Sequence, residues 1–174
     1  MKLGEIQVLK IEKKVDFGVY LSDGEGRVLL PKKQVPEDAS LGDELRVFIY
    51  KDSKDREIAT TTIPAITLGH IAVLRVSQLN KIGAFLDWGL EKDLLLPFKE
   101  MTSRPDEGDE ILVRMYIDKS HRLCASMKHI YDLLSKKPPY SVGDEVEARI
   151  YEFGHDFGTF VALEDNYSAM IPRH

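Results

Sequence analysis

Two kinds of side chain recur together in this sequence: aromatic rings on a short strand, and cations just beyond the strand that follows. Phe17 and Tyr20 precede Lys32 and Lys33. Lys81 and Phe85 precede Phe98 and Lys99, with Arg122 further along, and Phe157 and Phe160 precede Arg173 and His174. A ring on a strand offers a flat apolar face, and a nearby ammonium or guanidinium offers a charge to an anion. A surface combining both can meet a ligand that is flat in one part and anionic in another.

Other chemistries are poorly provided for. The five histidines (His70, His121, His129, His155, His174) show no paired metal-ligand spacing, and the single Cys124 forms no cluster. A buried, small apolar role is expected for Cys124. There is no glycine-rich phosphate loop ending in Lys-Ser/Thr and no Gly-x-Ser-x-Gly elbow. Asp52, Asp55, Asp106 and Asp109 fall in turns or at strand entries, where carboxylates hold turns. The sequence therefore predicts a binding protein rather than an enzyme, with no catalytic residues, no metal site and no cofactor.

Charge limits the mode of binding. The net charge is −5, divided as −1 over residues 1–64, −1 over 65–135 and −3 over 136–174. Grip on phosphates by a global positive field is excluded, so contact must come from a local face and be modest in affinity. No run approaches the roughly 18 apolar residues of a membrane span. Met1-Lys-Leu-Gly-Glu-Ile6 lacks a signal-peptide core. No membrane partner and a cytoplasmic location are expected.

The elements that must position the rings are short strands. Leu3 to Lys13 carries Ile6, Val8 and Ile11 in loose alternation, and Phe17 to Leu21 follows a polar turn. Ser22-Asp-Gly-Glu-Gly26 is a strong turn, and Arg27 to Leu30 is a strand that Pro31 ends. Lys32 to Ser40 is a loop with room for a short helical turn. Gly42-Asp-Glu44 opens the strand Leu45 to Tyr50, and a hairpin turn leads to Glu57–Thr62. Five such strands with a longer excursion after the third suit a small closed barrel.

The series then repeats. Leu68-Gly69, Ile82-Gly-Ala-Phe85, Leu94-Leu-Leu-Pro97, Gly108-Asp-Glu110 and Leu123 to Met127 match the first set in order. A third set opens at Val142-Gly-Asp-Glu145 and runs through Phe157-Gly-Thr-Phe160 to Met170-Ile-Pro172, with no counterpart of the last two strands. The expected units are barrels over 1–63 and 65–127, a helical linker over 128–139 stopped by Pro138-Pro139, and a partial barrel over 140–174. A barrel lacking two strands leaves open edges, so the chain is expected to be part of a longer protein.

These residues resemble the RNA-binding repeat named after the largest protein of the small ribosomal subunit, the S-one repeat, an OB-fold barrel. Its signature combines a Gly-Asp or Gly-Glu entry, Phe-Gly-x-Phe, a Gly-Leu-Val-His-like third strand, a second Gly-Asp entry and a closing Arg-x-x-x-Ser. Gly4-Glu5, Phe17-Gly-Val-Tyr20, Val28-Leu-Leu30 and Gly42-Asp43 fill these roles in the first set, and Arg122-Leu-Cys-Ala-Ser126 closes the second. The Leu-Leu-Pro endings in tandem resemble, more narrowly, the conserved virulence factor B family. That resemblance implies an all-β chain of tandem five-stranded OB barrels and a cytoplasmic, bacterial regulator that binds single-stranded RNA. It also implies a C-terminal winged helix in the full-length protein. The usual strand-three His is replaced by Pro31, Pro97 and Pro172, and the first aromatic of the second set by Ile82.

On this resemblance, Phe17, Tyr20, Phe85, Phe157 and Phe160 are the expected base platforms. Lys32, Lys33, Lys81, Phe98, Arg122, Arg173 and His174 are the flanking contacts. Phe17 and Tyr20 fall on opposite faces under strict alternation, so a bulge or twist at Gly18 must bring them together. Phe48, Tyr50 and Tyr116 are expected in packing. Trp88 is left open between exposed stacking and contact with a neighbouring repeat. The competing function is a scaffold whose barrels dock on protein partners or on each other.

Overall fold

A computed structural model of the chain describes residues 1–133 and the backbone of three further strands, 148–155, 158–163 and 168–172. The described chain is built of strands and short 3₁₀ turns. In the first repeat, β1 (Ile6–Val15), β2 (Gly18–Ser22), β3 (Arg27–Pro31), β4 (Glu44–Lys51) and β5 (Glu57–Thr60) close into a barrel in the order β1-β2-β3-β5-β4. The pairings are antiparallel except β3 with β5, which meet in parallel at Leu29 and Ile58 and close the ring.

Alternation decides what fills it. Leu9 and Ile11 of β1, Val19 and Leu21 of β2, Val28 and Leu30 of β3, and Val47 and Ile49 of β4 point inward and are buried together. Val8, one of the apolar residues in the loose alternation of this strand, faces out at 57 % exposure because Leu9 and Ile11 hold the inward phase. Gly18 sits where β2 begins against the end of β3. A Cβ there would lie 2.2 Å from the Leu30 carbonyl oxygen, so only glycine allows the two backbones this approach.

The second repeat has the same plan. β6 (Ile71–Leu79), β7 (Gly83–Asp87), β8 (Leu94–Pro97), β9 (Glu110–Ile117) and β10 (Leu123–Ser126) form a five-stranded sheet in the order β10-β9-β6-β7-β8. Gly83 meets the Leu96 carbonyl as Gly18 meets Leu30. A third sheet joins β11 (Ala148–His155), β12 (Gly158–Leu163) and β13 (Ser168–Pro172) in that order. Of the expected helical stretch 128–139, the described part contains one 3₁₀ turn, Ile130–Leu133, whose Ile130 is buried against Ile71 and Leu112. Residues 134–147, with Pro138-Pro139, lie outside the described residues.

The two repeats share a joint. Phe48 lies between Val47 and Ile49, so alternation turns it away from its own barrel, yet it is 0 % exposed. It belongs to the core of the second repeat. Its ring meets Trp88 edge-on at 5.6 Å, and Tyr50, on the same outer face, meets Trp88 at 6.1 Å. Trp88 is 2 % exposed, so contact with the neighbouring repeat is the role it takes. Hydrogen bonds to backbone carbonyls reinforce the joint: Leu68 N–H donates to the Gly4 carbonyl at 2.8 Å, and Lys92 Nζ donates to the Asp52 carbonyl at 3.0 Å. Edge-on aromatic pairs contribute roughly 0.5–1.5 kcal/mol each beyond the area they bury.

Candidate nucleic-acid interface

In the first repeat Phe17 stands in the turn before β2, 57 % exposed, and Tyr20 lies half-buried on β2. Because Phe17 precedes the strand, alternation within β2 does not govern it. Gly18, at φ 151°, turns the chain so that the two rings meet edge-on at 6.3 Å. The bulge in the β1–β2 ladder falls between Ile11 and Lys13 on β1 rather than at Gly18. Arg27, at the start of β3, places its guanidinium 5.0 Å from the Tyr20 centroid. Sequence reasoning missed Arg27. The available signal was its position on β3, two residues from Leu29, which pairs with Tyr20.

Lys32 and Lys33 occupy the 3₁₀ turn after Pro31, both exposed. Lys33 is ion-paired with Glu91, from the β7–β8 turn of the second repeat. The same turn brings Trp88 onto Tyr50. A cleft of about 390 Å³ remains, lined by Lys33, Tyr50 and Ile58 of the first repeat and by Gly89, Leu90 and Glu91 of the second.

The corresponding face of the second repeat is a pocket of about 450 Å³. Phe85 on β7, opposite Leu95 on β8, forms its floor with Ile82, which stands where the first repeat has Phe17. Lys99 and Arg122 also line it, together with Tyr50, Lys51 and Asp55 of the first repeat. Arg122 Nε lies 3.7 Å from Asp118 Oδ2. Asp93 accepts a hydrogen bond from Ser77 Oγ at 2.6 Å. Lys51 and Lys99 have no ion-pair partner among the described residues.

Other expected site residues fall elsewhere. Lys81 is exposed in the turn before β7, beside Ile82 but outside the pocket. Phe98, on the 3₁₀ turn Phe98–Glu100, carries the Arg104 guanidinium 4.2 Å from its centroid and does not line the pocket. Phe160 is on β12, paired with Met170. Phe157, Arg173 and His174 lie outside the described residues.

Cys124 and Tyr116, at the pocket, are both held in their neutral forms. Burial, and then the charge of Asp118, pushes the Cys124 thiol up to about 11, so it stays protonated at neutral pH. The thiol donates to Asp118 Oδ2 at 3.7 Å. Its neighbour Tyr116 has a buried hydroxyl with no hydrogen-bond partner among the described residues. Burial, with the nearby Cys124 and the Glu100 and Asp118 carboxylates, drives the Tyr116 phenol well above its ordinary range. Two polar groups thus lie neutral under an aromatic, cation-edged pocket.

The S1 domain family profile matches residues 3–62 and 68–128. The chain is similar to the uncharacterized protein YitL of Bacillus subtilis, 29% identical over 181 residues, covering 98% of this chain and 60% of YitL. It is 25% identical over 181 residues to conserved virulence factor B of Staphylococcus aureus, covering 97% of this chain and 60% of that protein. It thus spans about 60% of the length of these curated relatives. Among solved structures, its fold is similar to a multidomain protein with nucleic acid binding domains from Streptococcus pneumoniae, with TM-score 0.66 and 23% identity. That match covers 98% of this chain and 62% of the other. Both profile-matched segments hold a five-stranded sheet with the same order of elements, and the chain belongs to the S1 domain family.

Proposed function

We propose that this chain binds single-stranded RNA and acts as a cytoplasmic regulator rather than an enzyme. The observation that carries this reading is the second repeat's pocket, lined by the Phe85 ring and by Lys99, whose ammonium has no ion-pair partner among the described residues. In the first repeat, the exposed Phe17 and half-buried Tyr20, with Lys32, supply a second, smaller platform. Bases stack on the rings while lysines hold phosphates, and two weak sites add through effective concentration when one strand spans both. Membership of the S1 domain family supports the reading, as does the fold shared with a protein described as having nucleic acid binding domains. The regulatory part rests on the similarity to conserved virulence factor B. On this reading the partial third repeat expected over 140–174 contributes Phe157, Phe160, Arg173 and His174 as further contacts.

The test is salt-titrated binding of single-stranded RNA oligomers to the full chain. Phe85→Ala, and separately Phe17→Ala with Tyr20→Ala, are each expected to weaken binding by about 5-fold or more, the loss of one or more stacks. Undetectable binding at low salt, or affinity unchanged by both variants, overturns the reading in favour of a docking scaffold. One observation favours that second reading: the Trp88 turn already docks on the first repeat.

A further inference from the structure

We infer that the β4–β5 hairpin of the first repeat is part of the second repeat's binding site, closing an open barrel face into a seat for one nucleotide unit. The inference rests on the RNA-binding reading and adds to it a composite site and a ligand size. An isolated barrel face is a shallow surface along which a strand can lie. Here Tyr50, Lys51 and Asp55 line the same pocket as Phe85 and Lys99, and its volume of about 450 Å³ falls within the range of small-ligand pockets, about 300–1,000 Å³.

The wall is held in place from both ends. Tyr50 is packed against Trp88 at 6.1 Å. Asp52 Oδ1 accepts the backbone N–H groups of Lys54 and Arg56 at 2.9 and 3.0 Å, and its Oδ2 accepts from Arg56 Nε at 3.1 Å. Asp55 N–H donates to the Asp52 carbonyl at 3.0 Å, with Asp55 itself at φ 59°. A turn bonded in this way presents Lys51 and Asp55 in a fixed geometry, so little order is lost when a ligand enters.

The chemistry matches a nucleotide. Phe85 and Leu95 supply a flat apolar floor for a base. Lys51 and Lys99 come from different repeats and neither has an ion-pair partner among the described residues, so both are available to a phosphate. Two of the pocket's acids are engaged, Asp93 with Ser77 and Asp118 with Arg122. Asp55 is left as an acceptor for the N–H edge of a base. A free nucleotide and one residue of an RNA strand share this chemistry.

The experiment uses the full chain, with isothermal titration of AMP, CMP, GMP and UMP and of RNA oligomers two to eight residues long. Phe85→Ala, Lys51→Ala and the pair Lys51→Ala with Asp55→Asn are compared with the parent. The hairpin variants change only surface positions of the first repeat, and far-ultraviolet circular dichroism checks that they fold. Both are expected to lose about 3- to 10-fold in affinity, with most of the affinity already reached in the shortest ligands. Mononucleotide binding that depends on Lys51 identifies a free nucleotide as a ligand; the same dependence seen only with oligomers identifies a strand. If Phe85→Ala weakens RNA binding but the hairpin variants do not, the composite site is wrong and the RNA reading stands. If no variant alters binding, or none is detected, the RNA reading itself fails.

Discussion

The two repeats carry the same residues at equivalent places and use them differently. Lys33 and Tyr50 of the first correspond in strand position to Lys99 and Tyr116 of the second. In the first repeat this face receives the Trp88–Lys92 turn of its neighbour: Trp88 packs on Tyr50, Glu91 pairs with Lys33, and Lys92 reaches the Asp52 carbonyl. In the second the same face opens into the Phe85 pocket. A duplicated barrel surface that can take rings and phosphates can equally take an indole and a carboxylate. One copy is largely engaged in the joint, which leaves the outer edge at Phe17, Tyr20 and Arg27 as its proposed platform.

The largest effect is expected at the joint. Phe48→Ala removes a fully buried ring shared between repeats and is expected to destabilise the chain by about 3–5 kcal/mol in urea unfolding. Unchanged stability would mean that the joint contributes nothing. Next come the two glycines that mark the equivalence of the barrels. Gly18→Ala and Gly83→Ala each force a Cβ to within 2.2 Å of a carbonyl oxygen. Each should lower stability by about 2 kcal/mol or more, and by similar amounts. A large difference between them would separate repeats that look alike.

Smaller effects probe the pocket and the joint's surface. Tyr116→Phe deletes a buried hydroxyl that has no hydrogen-bond partner among the described residues, so thermal unfolding should show stability retained or raised by about 1 kcal/mol. A loss of that size would mean that the hydroxyl is bonded. Glu91→Gln breaks an exposed ion pair worth about 0–1 kcal/mol. It should leave stability almost unchanged while raising RNA affinity by at most about 3-fold at low salt, as Lys33 is released, with the gain lost at high salt. A fall in affinity would argue that Glu91 orders the site.

Much of each barrel was legible in the sequence because its determinants are local. Alternating β-branched and leucine residues, Gly18 and Gly83 at strand starts, and Pro31 and Pro97 at strand ends placed every strand of the two repeats to within a few residues. The phase of β1 was less clear, since Val8, Leu9 and Ile11 are all apolar and only the closed ring shows which two face inward. The pairing of Phe17 with Tyr20 was anticipated, although the bulge fell on β1. What escaped was non-local. The burial of Phe48, the engagement of Lys33 by Glu91 and the wall at Lys51 and Asp55 depend on how one barrel sits on the other. Nothing in a period-two pattern encodes that placement. Phe98 looked available from its position after Pro97, but Arg104 covers its ring.

The contrast between repeats is tested most directly by photo-crosslinking a 4-thiouridine RNA oligomer to the full chain and mapping the modified peptides. The account predicts the strongest crosslinks around Phe85 and on the facing Tyr50–Asp55 hairpin, with weaker ones at Phe17–Tyr20. Crosslinks concentrated at Phe17–Tyr20, or spread over surfaces remote from both rings such as the outward-facing Val8, would contradict it.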